Sequence, residues 1–100
     1  MSTSFYPRDA ARQETRHLGQ QNTGSQFLFR AYPDRGITGT SSWLRQLEGA
    51  QRIRDEYGRP YTAAEMIAIV AECQAGKPRP LHGTDWRDTD GSAFCEAEFC

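Results

Sequence analysis

The sequence predicts a single α+β domain in which a small antiparallel sheet packs on one main helix, with a short helix at its edge. Three observations carry this reading. A Thr-x-x-Glu box precedes a periodic apolar run over residues 63–75, residues 26–32 alternate in polarity, and an Asp-Gly pair separates two strand-like runs near the C-terminus. One hundred residues are enough for one hydrophobic core and too few for two. With 37% hydrophobic and 25% charged residues, the composition is that of a polar but foldable globule rather than a disordered chain.

Residues 1–13 mix Ser, Thr, Pro, Arg and Gln without a sustained period, so they read as a flexible N-terminal arm with Phe5 and Tyr6 available to dock. The domain proper is expected over residues 14–100. Thr15 to Gln20 reads as a short strand, ended by the turn-forming Gln21-Asn22-Thr23-Gly24-Ser25. Gln26 to Tyr32 is the clearest strand, with Phe27, Phe29 and Ala31 on one face and Leu28, Arg30 and Tyr32 on the other, and the two form a hairpin. Pro33-Asp34-Arg35-Gly36 supplies turn chemistry.

Thr40, Ser41 or Ser42 caps a short helix whose Trp43, Leu44 and Leu47 share a face, and Gly49 stops it. Gln51 to Tyr57 offers only Ile53 and Tyr57 to an interior, which predicts an edge strand or an extended link before the turn at Gly58-Arg59-Pro60. The core helix follows from Ala63 to Ala75. Thr62 and Glu65 cap it, Met66, Ile67, Ile69, Val70 and Cys73 build its apolar face, and Gly76 and Pro78 end it. Beyond Pro80, Asp88-Thr89-Asp90-Gly91 turns a C-terminal hairpin.

Function classes are narrowed mainly by exclusion. No run approaches the roughly 18 apolar residues of a membrane span, and the first residues lack a basic segment followed by an apolar one, so the expected compartment is the cytoplasm and no membrane partner is expected. A net charge of −1 argues against bulk attraction to nucleic acid. That mean hides an asymmetry: residues 1–60 hold nine Arg and six acids, residues 61–100 three bases and seven acids. Eleven of the twelve bases are Arg, a side chain suited to bidentate capture of carboxylate or phosphate, although solvated surface is the plainer reading. Arg30, Arg52 and Arg54 near Phe27 and Tyr32 would interleave bases and aromatics on a small sheet.

Cys73, Cys95 and Cys100 cannot all pair within one chain. Zinc ligands would have to come from His17, His82, Cys95 and Cys100, a set with no C-x2-C spacing, so neither a metal nor any other cofactor is expected, and Cys73 reads as a core residue. No nucleophile elbow or Walker loop is present. Asp55 and Glu56 are adjacent and face opposite ways in an extended segment, which is the wrong geometry for shared acid and base work. An enzyme is therefore not expected. A small-ligand or nucleotide site would gather His17, Asn22 and Arg30 around the glycine turn, whose N–H groups would form an anion-binding nest. A zinc-stabilised nucleic-acid module would use the cysteines with Arg52 and Arg54.

The order of motifs is informative: His17-Leu18-Gly19, Gly24 with Phe27, Tyr32-Pro33-x-x-Gly36-Ile37, Trp43, Asp55-Glu56-Tyr57-Gly58-Arg59, and Thr62-x-x-Glu65-Met66-x-x-Ile69. In this order the chain resembles a group of small phage and prophage proteins with no established activity. The likeness covers roughly residues 15–73 and, more loosely, 85–100, where Asp90-Gly91-x-x-Phe94 and Glu98-Phe99-Cys100 are similar to how many of the group end. Gln20-Gln21-Asn22 stands where the group has Lys-Ser-Ser, so a charge-dependent role of that loop is not carried over. What the resemblance implies is context: an accessory protein, made in a bacterial host cell, that binds a host or phage protein and so modulates replication, defence or gene expression.

Overall fold

The computed structural model describes residues 2–10, 13–22, 24–78, 81 and 85–96. The fold is α+β, and among these residues eight strands form one sheet. In chain order they are β1 (Ser2–Asp9), β2 (Glu14–Thr15), β3 (Gly19–Asn22), β4 (Leu28–Arg30), helix α1 (Thr40–Glu48), β5 (Ala50–Asp55), β6 (Pro60–Tyr61), helix α2 (Ala63–Cys73), β7 (Trp86–Arg87) and β8 (Ala93–Cys95). The spatial order is β6-β5-β1-β3-β4-β8-β7, with β2 also on β1.

Three expectations change. The segment read as an N-terminal arm contains β1, an inner strand paired antiparallel with β3 on one side and β5 on the other. Its Ser-Thr-Ser-Phe-Tyr-Pro-Arg-Asp run is polar and carries Pro7, whose missing N–H ordinarily confines proline to sheet edges. The segment 51–57, expected at the edge or as a link, instead lies mainly in β5, which sits between β1 and β6. The sheet is mixed rather than wholly antiparallel, because β8 lies parallel to β4 with Phe29 opposite Phe94.

The N-terminal hairpin forms in shifted register: β3 begins at Gly19 and pairs with β4 through Gly19 opposite Phe29 and Gln20 opposite Leu28. Alongside β1 the register slips by one residue between the Phe5–Gly19 and Arg8–Thr15 pairs, a β-bulge at 16–18. Tyr32 clamps this bulge, its hydroxyl accepting from the His17 N–H at 2.9 Å.

Both helices pack on one face of the sheet, where Phe5, Phe27, Phe29, Ile53 and Phe94 meet Trp43, Leu47, Met66 and Val70 in a single cluster. An aromatic row crosses this face. Trp86 stacks on Phe94 at 5.8 Å, Phe94 on Phe29 at 4.9 Å, and Phe27 lies 4.8 Å from Phe29 and 6.0 Å from Phe5. The row needs a gap at Gly19, where a Cβ would lie 2.5 Å from the Phe27 ring and closer still to the Leu28 carbonyl oxygen.

The sequence-predicted cap of α2 is present: Thr62 Oγ1 accepts the Glu65 N–H at 3.0 Å and Glu65 Oε1 accepts the Thr62 N–H at 2.8 Å. The regular helix ends at Cys73, and residues 74–76 continue as a turn. Helix α1 is capped from a distance. Asp88 Oδ2 accepts the Thr40 N–H at 2.8 Å and the Thr40 hydroxyl, and Asp88 Oδ1 accepts the N–H groups of Asp90 and Ser92 at 3.0 and 2.9 Å. One carboxylate thus closes the β7–β8 turn and holds the N-terminus of α1. Burial pushes the Asp88 carboxyl up, but the hydrogen bonds from Thr40, Ser92 and Asp90 outweigh this and leave it below the usual range.

Candidate functional site

The helices cover one face of the sheet, so side chains of the opposite parity on β1 and β5 point to the outer face. Register decides which of them meet. Arg8 stands opposite Arg52 and Tyr6 opposite Arg54, and antiparallel partners share a face. Arg52 and Arg54 are exposed, while Arg8 and Tyr6 are half-buried. Like charges placed opposite each other repel, so the pair at Arg8 and Arg52 needs an explanation other than stability.

Among the described residues no acid pairs with these arginines. Among the described residues Arg8 donates to neutral oxygens, Thr15 Oγ1 at 3.3 Å and Gln13 Oε1 at 3.2 Å. Two other guanidiniums are neutralised: Arg16 meets Asp9 at 3.2 Å and Glu14 at 2.8 Å, and Arg35 meets Glu14 at 2.9 Å. The strip on β1 and β5 therefore keeps its charge available. Tyr6 lies within it, with its ring stacked on the His17 imidazole at 5.0 Å between centroids.

Beyond Arg54 the chain makes a tight turn that explains the Asp-Glu-Tyr-Gly-Arg segment. Asp55 Oδ1 accepts the N–H groups of Tyr57 and Arg59 at 2.9 Å each, Asp55 Oδ2 accepts the Tyr61 hydroxyl at 2.9 Å, and Gly58 takes the positive φ of 83°. Burial raises the Asp55 carboxyl, yet bonds from Arg59, Tyr61 and Tyr57 hold it below its ordinary value. Tyr61 is raised by burial and by the Asp55 carboxylate that its hydroxyl faces. Glu56 Oε1 accepts the Ser4 N–H at 2.8 Å and ties the turn to β1. Tyr57 is left 71% exposed at the turn, the most open of the large hydrophobic side chains described.

The sequence-predicted residues fall into separate places. His17 and Arg30 share Tyr32, which bonds the His17 backbone and lies 5.2 Å below the Arg30 guanidinium. Asn22 pairs with Ser2 at the far end of β3, so the expected set of His17, Asn22 and Arg30 around one turn does not assemble. At the end of the glycine turn two N–H groups are already committed within the fold, that of Ser25 to the Asn22 carbonyl and that of Gln26 to the Lys77 carbonyl. The open groove beside this turn, about 380 Å³, has Glu72 in its wall, which disfavours an anion. Arg30 sits three strands from β5, roughly 14 Å at the usual strand spacing, and is not part of the Arg52 and Arg54 strip. Phe27 is in the core, not among the arginines.

For the metal candidates, Cys95 is buried in β8 and His17 lies beside β1. No three His, Cys, Asp or Glu side chains converge among the described residues, and His82 and Cys100 lie outside them. Cys73 is buried in the core, as its place in the helix stripe predicts.

Sequence reasoning singles out neither Arg8 nor Tyr6 as a binding residue, and it assigns Tyr57 to the interior, whereas the ring stands 71% exposed because β5 ends before it. The signal was the pair of period-two repeats Tyr6-x-Arg8 and Arg52-x-Arg54, which becomes readable only once residues 2–9 are known to be a strand beside β5. Compared with protein-family models, curated proteins and solved structures, the chain matches none.

Proposed function

We propose that the chain is a non-enzymatic binding protein that engages an anionic macromolecule with the outer face of β1 and β5. The observation that carries this reading is the cross-strand set of Arg8, Arg52 and Arg54 with no acidic partner among the described residues. Guanidinium groups suit carboxylate and phosphate oxygens, and like charges concentrated on one face lose their mutual repulsion when an anion arrives. In the context implied by the resemblance, the protein is a phage or prophage accessory protein in the bacterial cytoplasm, and its target is a host or competitor component.

The test is capture from bacterial lysate by the tagged wild type and by Arg52→Glu/Arg54→Glu, each with and without nuclease treatment. The wild type retains a stoichiometric component that added salt releases, and the double variant does not. Equal recovery of the same component by both proteins, each folded by circular dichroism, overturns the proposal.

A further inference from the structure

The basic strip carries aromatic rings as well as charge, and the two together narrow the class of anion. Arg52 and Arg54 are two residues apart on one strand, about 6.6 Å, a separation close to that of successive phosphates in an extended single strand. Tyr6 lies beside Arg54 across the ladder, and Tyr57 follows it at the turn, exposed over most of its surface. From Arg52 to the end of β5 at Asp55 the chain spans roughly 10 Å, and the turn carries Tyr57 just beyond, room for about two nucleotides. Positive groups that track a backbone, flanked by aromatic faces on which bases stack, are the pattern of sequence-tolerant single-strand binding. An acidic polypeptide would use the arginines but has no need of an open ring at Tyr57.

We propose that this strip binds single-stranded nucleic acid, with Arg8, Arg52 and Arg54 on phosphates and the Tyr57 ring stacked on a base. This rests on the reading of the face as an anion-binding surface, and it adds the ligand class. Phosphate contacts give affinity without sequence preference, while stacking selects unpaired bases over a duplex whose bases are already stacked. With three arginines on phosphates, the logarithm of affinity falls against the logarithm of salt with a slope of about −2, roughly a 20-fold loss between about 50 and 200 mM.

The experiment is fluorescence anisotropy with a labelled oligothymidylate of about a dozen nucleotides over that salt range. The proteins are the full-length wild type, Arg52→Ala/Arg54→Ala and Tyr57→Ala, with a duplex of equal length and polyglutamate as competitors. The wild type is expected to show the slope of about −2, the double variant about −0.7, and Tyr57→Ala an affinity at least about fivefold weaker at unchanged slope. Circular dichroism of each variant verifies folding; Tyr57 projects into solvent, so its loss leaves the core intact. No binding at low salt, polyglutamate or duplex competing as well as the unlabelled single strand, or unchanged affinity in Tyr57→Ala each overturns the proposal. If oligonucleotide binding fails while capture of a nuclease-resistant component still depends on Arg52 and Arg54, the ligand class is wrong and the binding face stands.

Discussion

Replacing Asp88 by alanine tests whether the helix pair and the C-terminal hairpin are held as one unit. Its carboxylate accepts the Thr40 N–H and hydroxyl on one oxygen and the Asp90 and Ser92 N–H groups on the other. The network continues inward, because the Thr40 and Ser92 hydroxyl oxygens are 3.0 Å apart and Gln74 Nε2 donates to Ser92 Oγ at 3.2 Å. Loss of a helix N-cap costs about 1 kcal/mol. A hydrogen bond to a charged acceptor contributes about 1.5–3 kcal/mol, and such terms do not add fully within one network. Ser92 is almost wholly buried, so water replaces its lost partner poorly, whereas the turn at Asp90 is open. We expect a total of about 2–4 kcal/mol, which in a domain this size lowers Tm by roughly 10–25 °C.

The pH dependence of this contribution has a definite sign. The folded carboxyl titrates below its unfolded value of about 3.9, so the stabilisation is fully present above that value and is lost as pH falls through the folded pKa. Thermal melts followed by circular dichroism at neutral pH and at about pH 3 should show the gap between wild type and Asp88→Ala narrowing in acid. A neutral-pH Tm within a few degrees of wild type would refute the reasoning. Additive effects of Asp88→Ala and Thr40→Val would show that the two residues are not coupled.

Two further substitutions probe the core. Gly19→Ala places a methyl group against the Phe27 ring and the Leu28 carbonyl at a backbone φ of 157°, so it should destabilise by about 2–4 kcal/mol in a denaturant titration. A smaller loss would mean that β3 and β4 can part there without disturbing Phe27. Val70→Ala removes a buried side chain and should cost about 2 kcal/mol, whereas Ile69→Ala, at a half-buried position, should cost less; the reverse order would place the wrong face of α2 inward.

Legibility in the sequence followed the range of the interactions involved. The α2 cap, the alternation of Phe27 and Phe29, and the Asp-Gly turn of the C-terminal hairpin depend on residues within a few positions of one another, and the structure contains all three. Strand β1 depends instead on partners at 14–22 and 50–55 and has almost no local preference of its own. Its mixed, aperiodic composition reads as an arm, and the neighbouring bulge with its Tyr32 clamp is a tertiary device that periodicity does not report. The parallel pairing of β4 with β8 joins segments more than sixty residues apart and is likewise silent in the sequence. The candidate site shared this fate: Arg52 and Arg54 were visible as a pair, but Arg8 joins them only through register.

The strip lies on the face opposite the core, so its charge can be altered with little effect on folding, and local charge can be separated from net charge. Reversing Arg52 and Arg54 to Glu takes the chain from −1 to −5, since each reversal removes two units. Reversing Arg45 and Lys77 to Glu makes the same change at exposed positions on α1 and after α2. If the target responds to the overall field, the two variants should lose affinity alike. At physiological salt, however, exposed charges separated by more than about 8 Å are largely screened, so a bound anion feels the guanidiniums beside it and little of the rest. The variant at Arg52 and Arg54 should therefore abolish the salt-sensitive part of binding, while the variant at Arg45 and Lys77 keeps most of the wild-type affinity in the same anisotropy titration. Equal losses in the two proteins would mean that the register of β1 against β5 places no binding surface there.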